Sequence, residues 1–320
     1  MFFNKPIVQG RAATSGAGPA LGGPAKQRMT TDPFDTAFLR KLELLELVYR
    51  RLRGGRGAGE SIGIERGGRM EFREHRRYAA GDDFRYIDWN VFGRSSSLFV
   101  KEYAREERRS VIVLLDASRS MQFGRPSKLA CGKQLAAAFA YLALVAGDEA
   151  VVATFSDDLH RTISVAGRKG RITEVLAELR DVRPGGRTSI HGSLKTLYGR
   201  MPRRSLVVLI SDLMDADCKA GLATLPARGF EPCVIHLLSR EEAAPAQTGR
   251  LHLEDCETGD SHSLWIDGAE LQEYEHVLNE FVDGWKVFCS AQGIAFVTAL
   301  SDVPFDELML GYLRRGGVVQ

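Results

Sequence analysis

The sequence has few cysteines and no recognisable cysteine pattern. Its five cysteines are scattered over 320 residues, and no two of them form a Cys-x-x-Cys pair. This spacing excludes a zinc-binding set and argues against a disulfide framework, so a reducing compartment fits best. The N-terminal stretch also lacks the apolar core of a signal peptide. We therefore expect a cytoplasmic protein.

Long apolar runs are also missing. The longest uninterrupted apolar run covers residues 135–146. A run of this length falls short of the about 20 residues needed to cross a bilayer. It therefore predicts a buried helix, and we expect no transmembrane segment.

The net charge is small but unevenly distributed. Residues 1–110 carry 21 Lys and Arg against 14 Asp and Glu, whereas residues 111–320 carry 22 against 27. A basic N-terminal part is suited to an acidic partner, a nucleic acid or a membrane surface. A solvated arm that balances the acidic half is an equally good interpretation. Because no basic run is interleaved with aromatics, as in a base-stacking surface, we expect no nucleic-acid partner.

Composition divides the chain into three parts. Residues 1–32 are rich in Gly, Ala and Pro without an apolar period, which predicts a disordered tail. Residues 33–109 begin with an amphipathic helix and continue into a charged, aromatic cap region. Residues 110–320 alternate strands and helices, which predicts an α/β domain with a doubly wound, mostly parallel sheet. Two short apolar segments near 248–267 predict a small inserted β-hairpin.

The cap region contains the turn Gly81-Asp82-Asp83 among charges of alternating sign. One interpretation is a recognition surface, or a carboxylate pair for acid–base chemistry. The other is a folded cap, in which Arg–Asp pairs lock a loop against the main domain. We favour the second, because adjacent Asp residues in a turn usually cap and pair.

An oxygen-rich loop follows the first central strand. The strand-like run 111–115 ends in Asp116, and the next residues include Ser118 and Ser120. In an open parallel α/β sheet, ligands bind at the carboxyl ends of the strands. The three side chains offer only oxygen, which is the donor that hard cations such as Mg²⁺ prefer.

Two further oxygen donors are expected on the same edge of the sheet. Thr188 follows a Gly-containing loop and, with Ser189, stands near the N-cap of a predicted helix. Asp212 ends the predicted strand 205–211. Taken singly, each of these residues is a common cap or turn residue. Together they predict a metal site for Mg²⁺, or for Mn²⁺ or Ca²⁺, held by Asp116, Ser118, Ser120, Thr188 and Asp212.

This arrangement resembles the von Willebrand factor A fold with its metal-ion-dependent adhesion site, and all five positions match. Outside the site, the chain from about residue 35 onward looks like the bacterial Domain of Unknown Function 58 family. The resemblance rests on Glu71-Phe72, Gly81-Asp82-Asp83, Ile87-Asp88-Trp89 and Arg94. It implies a von Willebrand A-like protein that accompanies a MoxR-type AAA+ ATPase in the assembly or maturation of protein complexes.

The predicted function is therefore a non-enzymatic, metal-dependent protein-interaction module, in which a partner's acidic residue completes the metal shell. One alternative is a Mg²⁺-dependent phosphotransferase or hydrolase that uses Asp116 as nucleophile. Phosphatases of the haloacid-dehalogenase type need a second Asp two residues on, and Ser118 stands there instead. The other alternative is a nucleic-acid or membrane-surface adaptor acting through residues 50–109. Candidate partner contacts are Arg119, Arg187, Asp82, Asp83, Arg85 and Arg94.

Overall fold

A computed structural model describes residues 10–12, 32–54, 70–79, 81–95, 97–105, 109–199, 202, 204–257 and 259–314. The chain forms two units, and each is described here by itself. The larger unit comprises Met1–Arg56 with Arg109–Gln320, and the smaller unit comprises Gly57–Arg108.

Strands and helices alternate through most of the larger unit. In chain order the strands are β1 (Gly10–Ala12), β2 (Met70–Arg77), β3 (Phe99–Arg105), β4 (Ser110–Asp116), β5 (Glu149–Phe155), β6 (Leu159–Val165), β7 (Leu206–Ser211), β8 (Glu231–Leu238), β9 (Gly249–Glu254), β10 (Ser261–Ile266) and β11 (Ala295–Leu300). The helices are α1 (Thr36–Gly54), α2 (Trp89–Ser95), α3 (Lys128–Ala146), α4 (Ile172–Asp181), α5 (Ile190–Leu197), α6 (Cys218–Ala227), α7 (Arg240–Ala243), α8 (Gly268–Ala291) and α9 (Phe305–Arg314).

A six-stranded sheet in the order β11-β8-β7-β4-β5-β6 forms the centre of the larger unit. All neighbours pair in parallel except β5 with β6. The predicted doubly wound, mostly parallel α/β fold is therefore confirmed. The central strands are almost continuously apolar because helices cover both faces of the sheet. Leu115 on β4 lies opposite Ile210 on β7, so these two strands end side by side.

Helix α3 is buried on nearly all sides. Ser127 caps its start by accepting a hydrogen bond from the backbone N–H of Ala130, and Gly147 ends it in the left-handed conformation at φ 86°. By length and composition α3 resembles a membrane span, yet 78% of its apolar window is buried within the fold. Its apolar composition therefore reflects packing against the sheet and against neighbouring helices.

Helix α1 belongs to the larger unit, whereas we had grouped it with the cap region in 33–109. Phe38, Leu42 and Leu45 on its apolar face are each 2% exposed and join the core cluster that contains α3 and α9. The Phe38 and Phe305 rings lie 4.6 Å apart between centroids. The grouping differs because only α3 and α9 bury this face.

The inserted hairpin is present as predicted. Strand β9 pairs with β10 in antiparallel register from Gly249–Ile266 to Glu254–Ser261. Gly10–Ala12 pairs with the other edge of β9, so this part of the predicted disordered tail is a strand. The remainder of that prediction, residues 1–9 and 13–31, lies outside the described residues.

The position of α1 in the core can be tested with two leucines on that helix. Leu42→Ala should lower the free energy of unfolding by about 2–5 kcal/mol, because it leaves a cavity in the core. Leu44 is 61% exposed, so Leu44→Ala should change it by no more than about 0.5 kcal/mol. Urea denaturation followed by circular dichroism measures both. Equal effects would contradict the burial of this helix face.

Candidate metal site

The predicted site residues stand on adjoining loops at the carboxyl edge of the sheet. The backbone N–H of Gly185 donates to the carbonyl of Ala117 at 2.8 Å, and that of Arg119 donates to Gly186 at 3.2 Å. These two bonds hold the loop after β4 against the loop that leads to Thr188. Asp116, Ser118 and Asp212 are fully buried, whereas Ser120 and Thr188 are half-buried.

Both carboxylate oxygens of Asp116 accept hydrogen bonds. The backbone N–H of Ser118 donates to Oδ1 at 2.9 Å, and the Ser211 hydroxyl donates to Oδ2 at 2.6 Å. Ser211 also accepts from the backbone N–H of Leu213 at 3.0 Å. Sequence analysis did not identify Ser211. Its position as the last residue of β7, directly before Asp212, is the signal that could have found it.

The buried ammonium of Lys128 is the second feature that sequence analysis missed. Lys128 is 1% exposed, and its Nζ lies 2.8 Å from Asp212 Oδ2 and 2.5 Å from Glu242 Oε1. Glu242 is itself fixed by a capping box with Ser239 at the start of α7. The only sequence signal is a lysine in the first turn of an otherwise apolar helix.

The two aspartates have opposite pKa shifts. Burial, and then the negative charge of Asp212, raise the pKa of Asp116 to about 7 against the hydrogen bond from Ser211. Burial also acts to raise the pKa of Asp212, but the charge and hydrogen bond of Lys128 outweigh it and hold that pKa below its usual value. Asp212 is thus the residue of the pair that stays ionised.

The residues present fit a divalent cation. Within the described chain, the buried Asp212 Oδ1 has no hydrogen-bond partner, which is costly unless something else satisfies it. Three carboxylates, Asp116, Asp212 and Glu242, face one lysine, so a divalent ion would balance the cluster when all three are ionised.

The spacing of the hydroxyls also fits such an ion. Ser118 Oγ and Ser120 Oγ lie 3.0 Å apart. Adjacent ligands of an octahedral Mg²⁺, with bonds of about 2.0–2.1 Å, are about 2.9 Å apart. Among the described residues, no three His, Cys, Asp or Glu side chains are arranged to hold a metal. An ion at this edge would therefore depend on the serine and threonine hydroxyls.

Thr188 has a different contact from the one predicted. Its hydroxyl donates to Glu257 Oε1 at 3.1 Å, and Glu257 lies in the turn between β9 and β10. Ser189 occupies the cap position of α5 without a side-chain cap bond. Asp215 caps the helix instead, because its Oδ2 accepts from the backbone N–H of Ile190 at 2.7 Å. Thr188 is thereby left available to the site.

A buried histidine lies next to these groups. His236 on β8 is opposite Ser211, and within the described chain neither of its ring nitrogens has a hydrogen-bond partner. Its ring stacks on Phe296 at 6.1 Å between centroids. Burial lowers the pKa of His236 to about 4, so the ring is neutral near pH 7.

The predicted partner contacts fall into two groups. Arg119 and Arg187 are exposed on the loops of the site. The remaining four, Asp82, Asp83, Arg85 and Arg94, belong to the smaller unit.

Within the smaller unit, the expected Arg–Asp pairs are present as local contacts. Arg76 binds Asp82 at 2.8 Å, and Arg85 binds Asp83 at 2.6 Å. The Arg85 hydrogen bonds lower the pKa of Asp83 to about 2. Arg94 is exposed in α2.

Comparison with known proteins shows one family. The family described as "Protein of unknown function DUF58" matches residues 74–277, more than half of the chain. An uncharacterized protein of Mycobacterium tuberculosis is 26% identical over 80% of this chain and 82% of its own length.

Two solved structures show partial similarity. BatB from Bacteroides thetaiotaomicron is 14% identical, covers 65% of this chain and 98% of its own, and has a TM-score of 0.40. The SpRpn10 VWA domain is 10% identical, covers 64% and 94%, and has a TM-score of 0.37.

The buried lysine can be tested by removing its charge. Lys128→Met should lower the free energy of unfolding by about 3–5 kcal/mol, because it leaves two buried carboxylates unpaired. Lys133→Met is the matched control, since Lys133 is also buried on α3 but donates only to the backbone carbonyls of Arg180 and Val182. Its cost should be smaller, about 1–3 kcal/mol. Urea denaturation measures both, and equal losses would contradict the ionic role of Lys128.

The neutral state of His236 predicts a pH dependence. Its folded pKa of about 4 lies below the unfolded value of about 6.5. The stabilisation is therefore complete above pH 6.5 and is lost as the pH falls towards 4. His236→Phe should remove this part of the acid sensitivity, worth about 3 kcal/mol or less, in urea denaturation at several pH values. His276→Phe, at a site where the side chain is 71% exposed, should leave the pH profile unchanged.

Proposed function

We propose that this chain, which belongs to the family described as "Protein of unknown function DUF58", is a metal-dependent protein-interaction module. The observation that carries the proposal is the buried, unpartnered Asp212 Oδ1 on the edge of the sheet that also carries the Ser118–Ser120 hydroxyl pair. Asp116, Ser118, Ser120, Thr188 and Asp212 would hold Mg²⁺, or Mn²⁺ or Ca²⁺.

A bound ion would supply positive charge to an outside carboxylate. Three of the five proposed donors are neutral hydroxyls, and Lys128 already compensates part of the charge of Asp212. The ion would therefore keep much of its attraction for a partner's Asp or Glu. Arg119 and Arg187 are exposed beside the site and would steer an acidic partner towards it.

The partner that we propose is a MoxR-type AAA+ ATPase, with a role in the assembly or maturation of protein complexes. This part rests on the sequence resemblance stated above. Location in the cytoplasm is also a proposal, and it is supported by the free thiols of all five cysteines.

The geometry favours docking over catalysis by Asp116. A nucleophile needs an oxygen directed at the substrate, whereas both oxygens of Asp116 accept hydrogen bonds inside the fold. A screen with generic phosphate esters and Mg²⁺ tests the alternative, and we expect no turnover that depends on Asp116.

Metal-dependent binding can be measured by retention of a MoxR-type AAA+ ATPase on the immobilised chain. Retention should require Mg²⁺ and should be lost in EDTA. Ser120→Ala should weaken it about tenfold or more, because the ion loses a donor. Asp217→Asn, which removes an exposed carboxylate outside the proposed ligand set, should have no effect. Equal retention with and without EDTA would show that the interaction does not use the metal site.

A further inference from the structure

The turn of the inserted hairpin places a carboxylate against the proposed metal site. Glu257, between β9 and β10, is 69 residues away from Thr188 in the chain, yet its Oε1 accepts the hydrogen bond from the Thr188 hydroxyl at 3.1 Å. Glu257 is half-buried at this position. A residue from outside the five predicted ligands therefore contacts one of them directly.

The distance has a particular meaning if Thr188 is a metal ligand. Adjacent ligand oxygens of an octahedral Mg²⁺ are about 2.9 Å apart. The Thr188–Glu257 oxygen pair, at 3.1 Å, and the Ser118–Ser120 pair, at 3.0 Å, both have this spacing. Glu257 Oε1 is thus separated from a proposed ligand by about the distance between two neighbouring ligands of one ion.

The turn holds Glu257 in place through its own hydrogen bonds. Asp255 Oδ1 accepts from the backbone N–H of Glu257 at 2.8 Å. The backbone N–H of Asp255 donates to Asp260 at 2.8 Å, and that of Gly259 donates to Asp255 at 2.8 Å. Gly259 has φ 78°, which favours glycine at that point. The carboxylate is therefore presented by an ordered turn.

A neighbouring side chain also reports that this turn lies near the charged cluster. Burial raises the pKa of the Cys256 thiol to about 11, and the charges of Glu257, Asp255 and Asp212 contribute in the same direction. Lys128 acts in the opposite sense. The turn is therefore within electrostatic reach of both the proposed metal ligand Asp212 and the buried lysine.

We infer that Glu257 is an internal carboxylate ligand of the metal site and takes the coordination position that a partner's carboxylate would use. The inference rests on the proposed function, because it assumes that an ion binds. The hairpin then acts as an autoinhibitory contact. A partner with an acidic residue has to displace Glu257 before it binds the ion.

The experiment uses Mn²⁺ as the probe and the full chain as the protein. Water-proton relaxation reports the number of exchangeable waters on bound Mn²⁺. Glu257→Ala should bind Mn²⁺ about tenfold more weakly and carry one more water on the ion than the unmodified chain. Glu254→Ala, which removes an exposed carboxylate from the same hairpin, should match the unmodified chain in both respects.

Acetate tests the autoinhibition itself. In Glu257→Ala, millimolar acetate should displace the additional water and lower the relaxation enhancement, whereas the unmodified chain should not respond. Glu257→Gln keeps an acceptor for Thr188 without the charge, and it should also bind Mn²⁺ more weakly. It serves as the second variant if the alanine variant has a lowered thermal unfolding midpoint.

The possible results separate the two proposals. If the unmodified chain binds no Mn²⁺, the proposed function fails and the inference fails with it. If Mn²⁺ binds and Ser120→Ala weakens it, but Glu257→Ala leaves the water number and the acetate response unchanged, only the inference is overturned. In that case Glu257 merely orients the Thr188 hydroxyl.

Discussion

The contact of Lys128 with Asp212 and Glu242 is the interaction on which the edge of the sheet depends. Its three charged groups are almost completely buried, and charges removed from water are tolerated only when they are closely paired. The contact therefore fixes the first turn of α3, the end of β7 and the start of α7 relative to one another. The position of Asp212, and with it the proposed metal site, follows from this constraint.

The same contact makes the two aspartates unequal. Lys128 stabilises the ionised form of Asp212, whereas Asp116 has no cationic neighbour of its own and is held by hydrogen bonds from Ser118 and Ser211. A divalent ion would meet one committed carboxylate and one whose charge depends on the ion's own arrival. Binding of the ion and ionisation of Asp116 would thus favour each other.

Local patterns in the sequence identified the fold and the five oxygen donors, and long-range contacts account for what they missed. The buried strands read as apolar runs, and Asp116, Ser118 and Ser120 are neighbours in the chain. By contrast, Lys128 meets Asp212 across 84 residues and Glu242 across 114. No spacing rule encodes such contacts. The division at 33–109 differed for a similar reason, since an amphipathic helix shows that it has a partner face without showing which helices cover it.

The hydrogen bonds at this edge determine what kind of chemistry it can support. A general acid or base needs a side chain that can exchange a proton with a substrate. Asp116 already accepts two hydrogen bonds, and Lys128 holds Asp212 in its ionised form. The groups that remain accessible are hydroxyls and exposed arginines, which can ligate an ion or attract a carboxylate. An edge built in this way selects for reversible binding, so any regulation has to act on access to the site. The hairpin that carries Glu257 is in a position to provide it.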